Sequence, residues 1–143
     1  MAPTVDYDDI VEYIHASTTG TTPNRTLTFG VDTVSEASVN RQLLGATAYI
    51  HWFIGDTNWN TADATLAPLV QDLLYLYAAA RVLSVLAGGL MVTGFNVTMT
   101  DLNMQRSERF TVYHDMISDF TNEAESIALQ MTQFTLYKAG GVR

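Results

Sequence analysis

A chain of 143 residues that is 48% hydrophobic has enough apolar side chains for one core, which excludes a disordered chain and predicts a single domain over residues 1–143. The net charge of −8 excludes the basic surface that binds nucleic-acid phosphates. The absence of cysteine excludes disulfides, cysteine zinc sites and thiol nucleophiles.

The first element in chain order is a short helix. Thr4 is a plausible N-cap, and three aspartates follow in the first turn, where carboxylates favour the positive end of the helix dipole. An apolar stripe predicts that this helix runs to about Ser17. Residues 18–31, rich in Thr, Gly and Pro, predict a loop with a few extended residues at 27–29.

A second helix is predicted after Asp32 or Thr33, either of which can serve as its N-cap, and Gly55 is its predicted end. Its apolar residues are spaced by four, three, four and three positions, as one buried helix face requires. These residues are Val39, Leu43, Ala46, Ile50 and Phe53.

A third helix is predicted from Asp63 or Thr65 to Gly88 and Gly89. It is apolar on most of its circumference, which indicates a helix surrounded on several sides, at the centre of the fold or between subunits. Charged residues interrupt this apolar run, and each would cost about 2.5–3.5 kcal/mol at a bilayer centre. A buried helix is therefore favoured, and no membrane contact is expected.

Residues 92–104 interrupt the helical pattern. Apolar and polar residues alternate there, which is the period of a strand, and no strand precedes it nearby. An edge with one apolar face favours pairing or docking with another chain. The segment is therefore interpreted as an extended contact arm, with its apolar side formed by Phe95, Val97, Met99 and Leu102.

The last helix has the clearest periodicity in the chain. Apolar residues alternate at spacings of three and four without a break, which predicts a packing seam along about 37 Å of helix. The seam consists of Phe110, Tyr113, Ile117, Phe120, Ala124, Ile127, Met131 and Phe134. Residues 138–143 form a short predicted tail.

Candidate chemistry is limited to three histidines. His51, the pair His114–Asp115 and the later Asp119 have some likeness to the ligands of helical metal phosphohydrolases. In those enzymes, however, the last aspartate lies well downstream, whereas Asp119 follows Asp115 by a single turn. A solvated acidic helix face explains these residues better. No catalytic residue, metal or cofactor is therefore assigned, and the alternative function is a small cellular helical binding protein or a metal-dependent hydrolase using His51, His114 and Asp115.

The predicted fold class is mainly α, a bundle of about four helices with a short extended arm between the third and fourth. This order of parts resembles the small head–tail adaptor proteins of tailed viruses, also called head-completion or connector proteins. The residues that carry the resemblance are an alanine-rich helix, YAAARVL, then the extended FNVTMTDL, and a long last helix containing NEAESIAL.

The resemblance implies a structural protein without catalytic residues. Adaptors of this family form a ring of twelve in the virion neck, contact the portal and tail or neck proteins, and surround a channel through which DNA passes without sequence-specific binding. On this chain it implies that the arm over residues 92–104 contacts a neighbouring subunit or the portal. The portal-contacting tail would contain Lys138, Val142 and Arg143.

The acidic composition fits this family in two ways. An acid-lined channel would repel the DNA backbone and let the genome slide. A single lysine beside ten aspartates is also typical of proteins from high-salt cytoplasm, which would point to a virus of a halophilic archaeon assembled in its host's cytoplasm. An ordinary acidic protein is the other interpretation of the composition, and both stay open.

Overall fold

The computed structural model describes the backbone of residues 2–94 and 100–138 and the side chains of residues 2–88 and 111–131. The prediction of a mainly helical fold is confirmed: helix makes up 69% of the structure, beside one small antiparallel sheet. The described elements are α1 Tyr7–Tyr13, β1 Ser17–Thr19, β2 Thr26–Phe29, β3 Asp32–Ser35, α2 Glu36–Ile54, α3 Asp56–Trp59, α4 Leu66–Gly94 and α5 Thr100–Lys138.

The predicted loop over residues 18–31 contains the end of β1 and all of β2, and the extended residues predicted at 27–29 belong to β2. Threonine, valine and phenylalanine favour strands because their side chains pack well on a pleated surface. Strands β2 and β3 meet through a two-residue turn, whose first residue, Gly30, has a φ of 66° that glycine adopts without strain. Leu27 and Val34 pair across these strands and are both buried, so the sheet covers one side of the core.

Helix α1 is shorter than predicted. Asp6, not Thr4, is its N-cap, and the side chains of Asp6 and Asp9 each accept a hydrogen bond from the other residue's backbone N–H. This reciprocal pair satisfies two N–H groups that the first turn leaves without helical partners. The backbone leaves helical geometry before His15, whose φ is 58°.

Arg25 connects α1, the sheet and the start of α2. Its guanidinium donates to both carboxylate oxygens of Glu36 at 2.9 and 3.0 Å and to Asp8 at 2.8 Å. The same group lies 4.3 Å from the ring centroid of Tyr7. Since the Glu36 side chain is only 5% exposed, these charge-assisted bonds hold an otherwise isolated buried carboxylate.

Helix α2 begins at Glu36 with Ser35 as its N-cap, two or three residues after the predicted N-caps Thr33 and Asp32, because residues 32–35 belong to β3. Its predicted end at Gly55 is correct, and Gly55 has a φ of 85°. Four residues of the predicted apolar face are buried, namely Val39, Leu43, Ala46 and Ile50. Phe53 was expected on the same face, but it is 54% exposed.

Helix α4 is the central element, as its all-round apolar sequence predicts. Asp63 caps it by accepting from the backbone N–H of Leu66 at 3.0 Å. Residues such as Leu74, Leu83 and Ala79 are completely buried between the sheet and the other helices. The helix does not end at Gly88 and Gly89 but continues to Gly94.

The interpretation of residues 92–104 as one extended arm is wrong at both ends. Residues 92–94 are the last turn of α4, and residues 100–104 are the first residues of α5, so Leu102 is helical. Extending an existing helix adds one backbone hydrogen bond for each residue that is fixed, and this outweighs a short strand pattern. Phe95, Val97 and Met99 lie outside the described residues.

Helix α5 spans 39 residues and packs along α4. The side chains of Tyr113, Ile127 and Met131 are buried, and those of Ile117, Phe120 and Ala124 pack partly buried against the core. The hydroxyl of Tyr113 donates to Asp32 at 2.6 Å, which ties α5 to the β2–β3 hairpin.

Candidate interaction surface

Helix α2 has a second apolar side that the core does not cover. From Gln42 to Gly55 the sequence contains no Asp, Glu, Lys or Arg, so the helix carries apolar residues on its outer side as well. Three large aromatic side chains are exposed there, and we call them the aromatic face: Tyr49 (41% exposed), Trp52 (74%) and Phe53 (54%). Leu44 is also exposed (73%), but it lies on the opposite side of the helix from Phe53.

Contacts between aromatic rings fix the side-chain conformations of the aromatic face. The ring of Tyr49 stacks on Tyr77 of α4 with a centroid distance of 4.8 Å and an interplanar angle of 20°. It also lies 6.0 Å from the rings of both Trp52 and Phe53. Since offset and tilted ring pairs each add a modest stabilisation beyond area burial, the aromatic side chains are oriented before any partner arrives.

A cleft adjoins the aromatic face where α2, α4 and α5 meet. Its volume is about 160 Å³, and its lining is predominantly apolar. Tyr49 and Phe53 form its α2 wall, Tyr77 and Ala80 its α4 wall, and Ala128 part of its α5 wall. A space of this size accepts one apolar side chain of a binding partner.

Arg81 supports the α2–α4 contact below this face. Its guanidinium donates to Gln42 at 3.2 Å and lies 5.7 Å from the ring centroid of Tyr77. Gly45 leaves the space for it, because a Cβ there would lie 2.5 Å from an Arg81 nitrogen. The positive charge of Arg81 therefore lies in the contact between α2 and α4.

The exposed side of α5 has the opposite character. Asp115, Asp119 and Glu123 follow one another at intervals of four residues and are all exposed. This spacing places them in one row on a helix, along about 12 Å. The predicted solvated acidic face is therefore present on this helix.

The histidines considered for metal chemistry have other contacts. His51 stacks on Trp59 at 4.8 Å and hydrogen-bonds to Asp56 at 2.8 Å. His114 lies on α5, 3.8 Å from Asp115, with 69% of its side chain exposed. Among the residues described, no group of three or more His, Asp or Glu side chains is arranged to hold a metal ion.

The other predicted site residues fall in or beyond α5. Leu102, Phe110 and Phe134 lie within its helical backbone, and Lys138 is its last described residue. Val142 and Arg143, from the predicted tail, lie outside the described residues.

The sequence prediction overlooked the aromatic face. A helix with one buried stripe normally carries charges opposite to it, and their absence over residues 42–55 was the available signal. Because Phe53 was predicted to belong to the buried stripe, only one apolar side of α2 was predicted, and the exposed one was not.

Helix length and composition also allow a membrane-spanning segment over Leu66–Gly88. More than half of that window, 56%, is buried inside the protein, as expected for a core helix. Apolar character here is accounted for by packing in the core.

Comparisons of the chain with protein-family models, with curated proteins and with solved structures gave no match. The surfaces described above therefore provide the evidence that bears on function.

Proposed function

We propose that this chain is a structural subunit of a virion neck ring that joins the portal to the tail and surrounds part of the DNA channel. The aromatic face is the observation that supports this proposal best. Exposed Trp, Tyr and Phe side chains are characteristic of protein–protein interfaces, where large apolar surfaces leave water on assembly. A subunit that assembles requires such a surface, whereas a solitary protein gains nothing from it.

The acidic row on α5 supports the channel part of the proposal. Asp115, Asp119 and Glu123 present negative charge on one helix face. Inside a ring, such a face would repel DNA phosphates and disfavour tight binding to the genome. Passage of DNA without sequence-specific contacts needs a surface of this kind.

The proposal also assigns roles to the segments around α5. The four longer helices α1, α2, α4 and α5 would form the adaptor-like bundle. Residues 95–99, with Phe95, Val97 and Met99, would contact a neighbouring subunit or the portal. Lys138, Val142 and Arg143 would lie at the portal-contacting end. In this arrangement the protein acts by assembly, in the virion, and without a cofactor.

The test is assembly of the purified chain, alone and with the portal protein encoded in the same genome. Light scattering measures the mass in solution, and electron microscopy shows whether closed rings form or whether the chain binds below a portal ring. We expect rings in one of the two samples. A chain that is monomeric alone and does not bind the portal would contradict the proposal.

The alternative, a metal-dependent hydrolase, gives a different result in the same preparation. It predicts stoichiometric metal retained through dialysis and lost in His114→Ala. The assembly proposal predicts no difference in metal content between the native chain and this variant, and element analysis of both samples measures it.

A further inference from the structure

We propose that the groove between α2 and α5 binds an amphipathic helix of a different protein, which inserts one leucine into the cleft and pairs an arginine with Glu125. This inference rests on the proposed assembling function and names the chemistry of a partner that the assembly takes. Trp52, on the outer side of α2, is not part of the cleft lining and remains available for contact between copies of this chain.

The groove results from the way three helices pack. Helices α2 and α5 both lie against α4, and in the described part of the chain no comparable contact joins α2 to α5. A strip of α4 that includes Leu73, Tyr77 and Ala80 therefore forms the floor of the cleft. Another helix can lie over such a strip, with its side chains between those of its neighbours. An amphipathic helix in an apolar groove is a common mode of recognition between proteins.

The two walls of the groove differ in polarity. On the α2 side, Phe53 presents an aromatic ring that is 54% exposed. On the α5 side, Thr121 and Glu125 line the cleft, and both are exposed. These two residues are four positions apart, so they lie on one side of the helix. A bound helix must therefore turn an apolar edge toward α2 and a polar edge toward α5.

Glu125 decides the charge of the partner. Among the described residues, its carboxylate has no hydrogen-bond or ion-pair partner. Arg81 of α4 contacts Gln42 and Tyr77 instead. Covering Glu125 with an apolar surface would bury an unpaired carboxylate, which is strongly unfavourable. An arginine compensates for the lost water, because its guanidinium forms charge-assisted hydrogen bonds with both carboxylate oxygens.

The cleft sets the size of the apolar anchor. Its volume is about 160 Å³, and an apolar cavity of about 150 Å³ holds a benzene-sized group. A leucine side chain is of comparable size, and leucine is among the best helix formers. Beside the cleft, Leu129 is 61% exposed and follows Glu125 by one turn. A second apolar residue of the partner, one turn from the first, can contact it.

Charge favours a different protein over a second copy as the occupant. The chain carries 15 acidic and 7 basic residues, so another copy would bring further net negative charge toward Glu125. A basic segment of another protein brings the complementary charge. Complementary charge also speeds the encounter of the two partners.

The experiment uses fluorescently labelled synthetic peptides. The first has about 16 residues, long enough to be partly helical in water, with leucines three and four positions apart on one side and arginines along one edge of that side. In the second peptide glutamine replaces each arginine, and in the third alanine replaces the central leucine. Fluorescence anisotropy measures binding to the purified chain, and circular dichroism verifies that each protein variant is folded.

Two pairs of protein variants test the two contacts. Glu125→Gln removes the carboxylate of the cleft, and Glu123→Gln removes the same charge from an exposed position on the other side of α5. Ala128→Leu fills the cleft from its α5 wall. Gln130→Leu is its matched control, because it adds a leucine at an exposed position of α5 outside the cleft lining.

We expect Glu125→Gln to weaken binding of the arginine peptide about 10-fold and to leave binding of the glutamine peptide unchanged, because only the arginine peptide can pair with the carboxylate. Glu123→Gln should change binding of either peptide by less than about 2-fold. Ala128→Leu should weaken binding of both peptides at least ~10-fold, to the level of the peptide without the central leucine. Gln130→Leu should bind like the wild type.

Four results would overturn the inference. They are no binding of the arginine peptide to the wild type, equal effects of the two glutamine variants, equal effects of the two leucine variants, and release of the peptide as the chain oligomerises. The last would identify a second copy as the occupant of the groove.

The proposed function fails separately, through the measurements of ring formation and portal binding. Rings or portal binding without peptide binding would leave the neck role standing and disprove this contact. Peptide binding by a chain that neither forms rings nor binds the portal would do the reverse.

Discussion

At the residue scale, the ion pair between Arg25 and Glu36 is the main polar contact that connects the start of α2 to the rest of the fold. Glu36 is the first residue of α2, and Arg25 donates two side-chain hydrogen bonds and one backbone hydrogen bond to its carboxylate. These bonds hold the pKa of Glu36 below its ordinary value, although burial acts in the opposite direction. The carboxylate therefore remains charged at neutral pH, and its pairing stabilises the native fold.

This pair gives stability a predictable pH dependence. Because the pKa of Glu36 is lower in the folded than in the unfolded chain, its contribution is complete above the ordinary carboxyl pKa of about 4.3. It is lost as the pH falls through the lower, folded value. We expect Glu36→Gln to lower the Tm clearly at pH 7, and this difference from wild type to shrink below about pH 4. Thermal unfolding between pH 7 and pH 3 measures both effects.

Asp8→Asn is the matched control for that experiment. Asp8 pairs with the same guanidinium, but its side chain is 70% exposed, so water screens the interaction. Its effect on Tm should be small at every pH. Equal effects of the two variants would show that burial of Glu36 has no special importance.

At the scale of elements, the register of α5 on α4 decides whether the core forms. Ile127 is 8% exposed, and Leu129, two residues later on the same helix, is 61% exposed. We expect Ile127→Asp to destabilise the fold by at least ~3 kcal/mol, because an unpaired carboxylate would be buried. Leu129→Asp, which adds the same charge, should change stability by less than about 0.5 kcal/mol. Urea denaturation of both variants measures the contrast, and similar losses would mean that α5 packs through another face.

The helices were predictable because their physics is local. Apolar spacing identified the buried side of α2, and Gly55 was recognised as its end because glycine adopts a positive φ without strain. The all-round apolar α4 was placed at the centre for a similar reason. In each case residues within one or two turns carry the signal.

The sheet and the aromatic face were not predictable in the same way. Strand β2, Thr26–Phe29, is only four residues long. It pairs with Asp32–Ser35 through a turn at Gly30, and in the sequence this turn cannot be distinguished from the surrounding Thr- and Gly-rich loop. Similarly, spacing alone predicted four of the buried residues of α2 correctly but also placed Phe53 among them, although Phe53 is 54% exposed. The strand pairing and the exposure of Phe53 both depend on contacts between elements, and a single sequence does not reveal those contacts.

At the scale of the whole molecule, two properties oppose each other. The net charge of −8 keeps copies apart, while the aromatic face favours association. Repulsion between exposed charges is screened by salt, with a Debye length of about 10 Å at 0.1 M and about 3 Å at 1 M. Apolar burial does not depend on screening in this way.

Self-association should therefore strengthen with salt. We expect the apparent dissociation constant to fall by at least ~10-fold between 0.05 and 1 M KCl, because screening removes like-charge repulsion and leaves the apolar contact intact. Sedimentation equilibrium at several salt concentrations measures it. Trp52→Asp should remain more weakly associated than wild type across the series, since its defect lies within the contact and screening does not restore the lost apolar area. If ion pairs held the subunits together, association would weaken as salt is raised.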